Sequence, residues 1–221
     1  MFEFLADCCE QRDTAWDCAT GNGQAATALC EFFAKVIATD ASESQILAAT
    51  ANSAVEYRVA PAEDSGLSDR SVNLITVAQA LHWFDIPRFF EEAVRVLSAG
   101  GILAFWCYER CRVGPDCDPL IERVFAEVEP YWPPERQLVD DGYRSVGMPL
   151  VALETPEFEM RVLWTADQML DYSRTWSAAQ RYLVERCADP AQVIEAELRD
   201  AWGPGPRTVT WPITLTAGRV D

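Results

Sequence analysis

The stretch over residues 15–26 constrains the fold of this chain more than any other. A short apolar run ends at Asp17, glycines follow at Gly21 and Gly23, and an alanine-rich run begins at Gln24. Glycine lets the backbone turn tightly and approach a ligand closely, and the first N–H groups of a following helix point at the same spot. The stretch therefore predicts a strand, a ligand-binding turn and a helix. A tight turn without a ligand is the alternative, because short glycine motifs also occur by chance.

A second strand-like run completes this unit. Residues 36–40 form a short apolar run that is typical of a buried parallel strand, and the run ends in Asp40. Asp40 follows Gly21 by about twenty residues, the distance at which a second-strand carboxylate can reach both hydroxyl groups of a ribose held over the first turn. The pattern predicts a βαβ unit with a ribose-binding carboxylate.

Further strands alternate with helical patterns along the first half of the chain. We predict strands over 14–17, 55–59, 72–78 and 102–107 in addition to the one that ends at Asp40. Such alternation predicts a doubly wound α/β fold, with a mostly parallel sheet and helices on both faces. Ligands of these sheets collect beyond the carboxyl ends of the strands. Four polar side chains are expected at that edge: Asp17, Asp40, Glu63 and His82.

Capping residues and glycines mark the helix boundaries. Three pairs have the spacing of a capping box, namely Ser42 with Gln45, Thr165 with Gln168, and Ser177 with Gln180. Asp85 before Pro87 predicts a further helix start, and Gly100–Gly101 its end. We also expect an opening helix within 2–11 and a helix over 24–33 after the glycine turn.

Length and composition favour one domain. The 221 residues, 49% of them hydrophobic, are enough for one sizeable core, so we predict a single domain over 1–221. Prolines and aromatic residues become denser from residue 108, which indicates a helical cap. Pro212 lies in the last strand-like run and favours an edge or antiparallel strand there. The predicted parts are a core over 1–107, cap segments over 108–156 and 165–203, a strand over 158–164, and a seventh strand over 208–217.

Charge and hydropathy exclude several classes of function. The formal net charge is -17, and Lys35 is the one lysine against 35 acidic residues, so a phosphate backbone would be repelled. No apolar run approaches the roughly 20 residues that span a bilayer, and the first residues lack a basic segment. We expect a soluble, cytoplasmic protein with no nucleic-acid or membrane partner. The sequence gives no oligomeric state.

The eight cysteines do not have the spacing of a metal site. No Cys-x-x-Cys pair occurs, and the cluster of Cys107, Cys111 and Cys117 has no second pair of ligands at zinc-finger spacing. We expect reduced thiols and no metal.

Four segments carry a resemblance to a known family. They are Trp16-Asp17-x-Ala19-Thr20-Gly21-Asn22-Gly23-Gln24-Ala25-Ala26, Val36-Ile37-Ala38-Thr39-Asp40-x-Ser42-x-x-Gln45, Val77-Ala78-Gln79-Ala80-x-His82-Trp83-Phe84-Asp85 and Arg95-Val96-Leu97-x-x-Gly100-Gly101. The chain resembles the class I S-adenosylmethionine-dependent methyltransferases, and more narrowly the trans-aconitate methyltransferase-like (methyltransferase type 11) group. Thr175-Trp176-Ser177-Ala178 and Val209-Thr210-Trp211-Pro212 are similar to C-terminal motifs of that group. The resemblance implies a Rossmann-like fold, S-adenosylmethionine as cofactor and S-adenosylhomocysteine as product.

The resemblance also implies roles for individual residues. The glycine turn holds the methionine part of the cofactor, Asp40 binds the ribose, and Ala62-Glu63 lies by the adenine. The full set of implied cofactor-binding residues is Asp17, Ala19, Gly21, Gly23, Asp40, Ala41, Gln45, Ala62, Glu63 and Gln79. Ala19 departs from the family, which more often has glycine there. Because alanine resists a positive φ, we expect a slightly altered turn.

The acceptor is expected to be a small molecule. Methyl transfer is an in-line displacement that a site accelerates largely by positioning, so a carboxylate acceptor, which already carries its nucleophile, needs no base. A hydroxyl or amine would need one, and His82 is the chain's single histidine. We predict His82 and Trp83 as catalytic residues, although His82 could equally be a structural hydrogen-bonding residue. The predicted substrate residues are Tyr108, Tyr172 and Trp176, with Arg174 or Arg144 as a partner for a substrate carboxylate.

Two other functions remain open from the sequence. A nicotinamide-dependent oxidoreductase would use Gly21, Gly23, Ala26 and Asp40 equally well, but it gives Asp17 no role and no Tyr-x-x-x-Lys motif is recognisable. The second alternative is a shortened member of the family that binds cofactor without turnover.

The second alternative follows from the N-terminus. The similar family carries a segment of a few dozen residues that folds over the cofactor, whereas here only residues 2–11 precede the first strand. Because a lid excludes water and completes an acceptor site, we expect weak cofactor affinity and little turnover, unless a partner chain or the 108–156 region supplies the cover.

Overall fold

Eight strands of one mixed sheet organise the protein. A computed structural model describes residues 1–221. The strands are β1 (Thr14–Cys18), β2 (Lys35–Asp40), β3 (Val55–Val59), β4 (Val72–Ala78), β5 (Leu97–Tyr108), β6 (Val151–Ala152), β7 (Phe158–Trp164) and β8 (Arg207–Arg219). The strand order is β3-β2-β1-β4-β5-β8-β6, and β7 also pairs with β8. The sheet has one strand more than predicted, because the two-residue β6 is too short to show a pattern in the sequence.

Nine α-helices accompany the sheet. They are α1 (Phe2–Cys8), α2 (Gln24–Leu29), α3 (Glu43–Ala48), α4 (Ile86–Val96), α5 (Asp118–Val128), α6 (Arg136–Asp140), α7 (Ala166–Thr175), α8 (Ser177–Arg186) and α9 (Glu195–Trp202). Short 3₁₀ turns occur at Leu81–Trp83, Glu129–Tyr131 and Pro190–Val193. None of these helices is both long and apolar enough to cross a membrane.

Strand direction confirms the predicted fold class. Neighbouring strands among β1 to β5 pair in parallel, and β8 runs antiparallel to β5 and β6. The chain moves outward from β1 through β2 to β3 and then returns to β4 on the other side of β1. Sheets of this type place their ligands at this reversal, beyond the carboxyl ends of β1 and β4.

Two compact units divide the chain. The first contains residues 1–108, 138–158 and 213–221, and the second contains 109–137 and 159–212. Residues 138–158, most of which we expected in the cap, therefore belong with the cofactor-binding core. Strand β8 contributes residues to both units, and its part from Ile213 to Arg219 pairs with β5 inside the first unit.

Both faces of the sheet in the first unit are buried. Ala15 and Leu74 belong to one apolar cluster, together with Leu29 from α2, whereas Trp16 belongs to another that includes Phe89 from α4. Successive strand residues point to opposite faces, so this alternation shows helices packed on both sides of the sheet. The doubly wound architecture is confirmed.

An aromatic cluster fills the second unit. The rings of Phe125 and Trp176 stack with centroids 4.0 Å apart, and Trp211 packs edge-on against Trp164 and Tyr172, with centroids 5.1 and 5.4 Å away. Trp211 is fully buried, and Trp176 is 7% exposed. These rings form the hydrophobic core of the second unit.

Several predicted boundaries are wrong. Helix α4 begins after Asp85 as expected, but it ends at Val96, and Gly100–Gly101 lie inside β5 because Leu97 already pairs with Val72. The opening helix stops at Cys8 and α2 at Leu29, each a few residues earlier than predicted.

One of the three predicted capping boxes forms. The Thr165 hydroxyl oxygen accepts a hydrogen bond from the Gln168 backbone N–H at 3.3 Å, and the Gln168 side chain accepts one from the Thr165 N–H at 2.9 Å. Ser42 precedes its helix without a capping bond, because its hydroxyl pairs with that of Ser44. Ser177 is already the first residue of α8, so it cannot cap that helix.

Candidate active site

A pocket of about 500 Å³ opens at the carboxyl ends of the parallel strands, within the first unit. Eight residues predicted from the sequence line it: Ala19, Gly21, Asp40, Ala41, Gln45, Ala62, Gln79 and Trp83. Five further lining residues are Ser42, Ala60, Ala78, Ala80 and Phe84. The sequence pattern assigns Ser42 to a helix cap and Ala78 to a strand, and the other alanines carry no chemical signal in the sequence.

The glycine turn after β1 forms one wall of this pocket. Gly21 has φ +56°, and a Cβ added there would have 3.9 Å to its nearest neighbour, a Gln45 side-chain oxygen. Gly23 has φ +86°, and a Cβ added there would collide with the Tyr57 hydroxyl group. Tyr57 is fixed in this position, since its hydroxyl donates to the Thr50 carbonyl at 3.0 Å. Gly23 packs against Tyr57 and does not line the pocket.

Asp40 is held in place by backbone donors. Its Oδ2 accepts from the Gly21 N–H at 2.9 Å, and its Oδ1 accepts from the Ser42 N–H at 2.8 Å. A carboxylate has about four lone-pair sites, so each oxygen can accept a further hydrogen bond from a ligand. The carboxylate thus links the turn after β1 to the start of α3 and presents a fixed pair of acceptors to the pocket.

Asp17 lies beneath the turn and not in the pocket. Its side chain is 1% exposed, and it accepts hydrogen bonds from Thr20 Oγ1 at 2.5 Å and Thr76 Oγ1 at 2.8 Å, as well as from the Ala26 N–H. Burial raises the pKa of Asp17 to about 6, although these three hydrogen bonds oppose the shift. Asp17 therefore ties β1, β4 and α2 together, and its direct contact with a cofactor stays a prediction.

Two residues at the pocket have left-handed backbone conformations. Ala19 follows β1 with φ +55°, and Gln79 follows β4 with φ +54°. Ala19 adopts the positive φ that its Cβ disfavours, so the turn keeps a glycine-like backbone, which costs about 1–2 kcal/mol in a residue with a Cβ. Such conformations persist only where the surroundings enforce them, and they cluster at functional sites.

Gln79 shows how one of these conformations is enforced. Its backbone N–H donates to the Trp106 carbonyl at 2.9 Å, and its side-chain Oε1 accepts from the Tyr108 N–H at 2.8 Å. Both partners belong to β5, so Gln79 fastens the end of β4 to the neighbouring strand while it lines the pocket.

Of the two residues predicted after β3, Ala62 lines the pocket and Glu63 does not. Ala62 is buried and lines the pocket. Glu63 Oε1 accepts from the Asp85 N–H at 2.8 Å, just before α4, and Glu63 is absent from the lining. Its predicted place beside the adenine stays a prediction.

His82 and Trp83 lie in the 3₁₀ turn after β4. Trp83 lines the pocket and is 58% exposed. His82 is half-buried and does not line it, and its Nδ1 lies 2.8 Å from the hydroxyl oxygen of Tyr143. Sequence reasoning missed Tyr143, because the residue lies in the segment assigned to the cap and has no motif around it.

None of the three predicted substrate residues lines the pocket. Tyr108 ends β5 in the first unit, whereas Tyr172 and Trp176 belong to the aromatic cluster of the second unit. The Tyr172 hydroxyl oxygen accepts from Trp211 Nε1 at 3.2 Å. Their contact with an acceptor stays a prediction.

The two arginines proposed for a substrate carboxylate have protein partners. Arg174 donates to Asp189 at 2.7 Å, to Asp171 at 2.9 Å and to Glu195 at 3.3 Å. Arg144 donates to the Asp141 carbonyl at 3.3 Å. Arg174 therefore serves the packing of its own unit.

Comparisons with known proteins decide the family. The family model described as methyltransferase domain matches residues 16–105. A Dictyostelium discoideum protein described as a methyltransferase is 34% identical over 199 residues, which cover 88% of this chain and 76% of that protein. The chain belongs to the class I S-adenosylmethionine-dependent methyltransferases.

Solved structures agree with this assignment. A protein from Anaeromyxobacter dehalogenans described as a type II methyltransferase is 42% identical, with a TM-score of 0.93 over 99% of this chain and 94% of that one. A geranyl diphosphate methyltransferase in complex with S-adenosylmethionine shares the fold at 18% identity, with a TM-score of 0.50 over 100% of this chain and 84% of that one. The alternative of a nicotinamide-dependent oxidoreductase has no support, and the trans-aconitate-like subgroup stays a prediction.

The left-handed Ala19 predicts a stabilising substitution. In Ala19→Gly the strain of the Cβ disappears, and only part of this gain is offset by the larger entropy of glycine in the unfolded chain, so the free energy of unfolding should rise by about 0.5–1 kcal/mol. Ala28→Gly, in the right-handed helix α2, is the control and should lower it by a similar amount. Urea unfolding measures both. A loss of stability in Ala19→Gly would show that its conformation is not strained.

Proposed function

We propose that this methyltransferase binds S-adenosylmethionine in the pocket at the strand ends and transfers its methyl group to a small-molecule acceptor. The observation that carries the proposal is the fixed Asp40 carboxylate, oriented by the Gly21 and Ser42 N–H groups at 2.9 and 2.8 Å in the wall of the pocket. A pair of pre-oriented acceptors is the arrangement that two adjacent ribose hydroxyls require.

The pocket fits such a cofactor in size and polarity. Its volume of about 500 Å³ lies within the usual range of roughly 300–1,000 Å³ for ligand sites. Six alanines and Phe84 give it apolar walls suited to a purine, and its polar side chains are few: Asp40, Ser42, Gln45 and Gln79. Apolar walls with a few placed polar groups are typical of small-molecule sites.

We assign each part of the cofactor to residues of the pocket. Asp40 binds the ribose, the backbone at Gly21 faces the methionine part, and Ala62 lies by the adenine. When bound, S-adenosylmethionine supplies an electrophilic methyl group on a positively charged sulfur. The residues hold the ligand in one geometry and exclude water from it, which is the main contribution that a site can make to a displacement of this kind.

We further propose a carboxylate as the acceptor. Asp40 is the one ionisable side chain in the pocket lining, and His82 lies outside the lining, hydrogen-bonded to Tyr143. The pocket thus offers no free base to deprotonate a hydroxyl group or an amine, and an acceptor that is already ionised needs none. The pocket lining contains no arginine or lysine that could pair with the acceptor's carboxylate. That carboxylate must therefore be bound by residues outside the lining or by the positive charge of the cofactor's sulfur.

Replacement of Asp40 should weaken cofactor binding. In Asp40→Ala the ribose loses hydrogen bonds to a charged group, so the affinity for S-adenosylhomocysteine should fall by about 1.5–3 kcal/mol in calorimetry. Asp40→Asn keeps one acceptor oxygen and should lose less. Asp64→Ala, which removes an exposed carboxylate outside the pocket, is the control and should bind as the native protein does. Unchanged affinity in Asp40→Ala would refute the ribose assignment.

A product screen tests the reaction. The protein is incubated with S-adenosylmethionine and separate pools of small carboxylic acids, alcohols and amines, and mass spectrometry searches for products heavier by one methylene unit. We expect methyl esters from the carboxylate pool, formed by native protein and strongly reduced in Asp40→Ala. Methylated amines or ethers alone would contradict the carboxylate proposal. Cofactor binding without any methylated product would favour the non-catalytic alternative.

A further inference from the structure

A hydrogen bond joins the turn after β4 to a residue about sixty positions later. The Nδ1 atom of His82 and the hydroxyl oxygen of Tyr143 are 2.8 Å apart, and their rings lie nearly parallel at 26°, with centroids 6.2 Å apart. Both residues belong to the first unit. The contact joins the segment 138–158 to the predicted catalytic turn.

Tyr143 is a rigid partner for this bond. Its side chain is 1% exposed, its ring packs edge-on against Phe105 of β5 with centroids 5.9 Å apart, and its backbone has a left-handed φ of +57°. A buried tyrosine usually carries its hydroxyl to a hydrogen-bonding partner. A position this constrained fixes the direction in which the hydroxyl points.

His82 transmits this constraint to the pocket. Its ring lies against the indole of Trp83, with centroids 4.7 Å apart and planes 43° apart. Trp83 lines the pocket but is 58% exposed, so the protein surrounds it on only part of its surface. A large exposed side chain can occupy several rotamers, and each contact that selects one of them lowers the entropy lost on ligand binding.

We propose that Tyr143 is a positioning residue that acts through His82 to hold the Trp83 indole against the ligand. The proposal rests on the proposed function, since it takes S-adenosylmethionine or its product as the ligand of the pocket. It also assigns His82 a role in which the imidazole is a support for Trp83 and transfers no proton. Tyr143 itself does not line the pocket.

Spectroscopy of the free protein tests the positioning directly. The chain has one histidine, so its imidazole gives a single set of NMR signals, and Trp83→Leu identifies the Trp83 indole N–H among the eight tryptophans. Tyr143→Phe keeps the buried ring and removes the hydroxyl. We expect it to shift the ¹⁵N signals of His82 and to broaden or move the Trp83 indole signal, while the other indole signals stay in place.

Ligand binding tests whether the effect passes through Trp83. Trp83→Leu should weaken S-adenosylhomocysteine binding about fivefold, as expected for the loss of one aromatic contact. Tyr143→Phe should weaken it about threefold in the native background and have no effect in the Trp83→Leu background, because coupled residues are not additive. Tyr182→Phe is the control: its hydroxyl donates to Glu127 at 2.7 Å in the second unit, and its loss should change nothing.

The outcomes separate this inference from the proposed function. Equal losses from Tyr143→Phe in both backgrounds, or unchanged His82 and Trp83 signals, would overturn the positioning role. A native protein that binds no S-adenosylhomocysteine would contradict the proposed function, and the NMR measurement would still decide whether Tyr143 holds Trp83. If Tyr143→Phe does not fold, His82→Phe breaks the same hydrogen bond from its half-exposed side and should move the Trp83 signal in the same way.

Discussion

A buried carboxylate at the end of β1 holds together the elements from which the pocket is built. Asp17 is almost fully buried, yet it accepts hydrogen bonds from Thr20 in the turn, Thr76 in β4 and the Ala26 N–H in α2. An isolated charge in this position would be very costly, and these donors offset much of that cost. Because they come from three different elements, the carboxylate is satisfied only when the turn is closed.

Two of the polar side chains that line the pocket are hydrogen-bonded to the backbone. Asp40 is fixed by two backbone N–H groups, and Gln79 connects the ends of β4 and β5 through its side chain. Ala19 and Gln79 both keep left-handed conformations next to the cavity. The first unit thus maintains a strained rim around a preformed cavity, so little ordering is left for the ligand to bring about.

The sequence predicted what depends on neighbours in the chain. The bounds of β3 and β4 agree with the prediction, because strand periodicity is local, and the pocket contains Asp40 and Ala62 because the ends of parallel strands share one edge of the sheet. It could not predict what depends on packing. The sequence places Asp17 at the end of a strand, but it does not show that the side chain is buried and hydrogen-bonded to Thr20 and Thr76.

Tertiary contacts explain the other differences. Thr165 and Gln168 form a capping box. Ser42 and Gln45 have the same spacing, but the Ser42 hydroxyl pairs with Ser44, so this spacing alone does not determine whether a cap forms. Tyr143 approaches His82 through a segment with no recognisable motif, and only the fold brings them together. The sequence also does not show which aromatic residues line the pocket and which form the hydrophobic core of the second unit. The same residue types occur in both places.

A crystal structure with S-adenosylhomocysteine tests the central claim most directly. The account predicts the ligand in the pocket lined by Gly21, Asp40 and Trp83, with both ribose hydroxyls within hydrogen-bonding distance of the Asp40 carboxylate. Ligand density at another place, or in this pocket with the ribose turned away from Asp40, would contradict it.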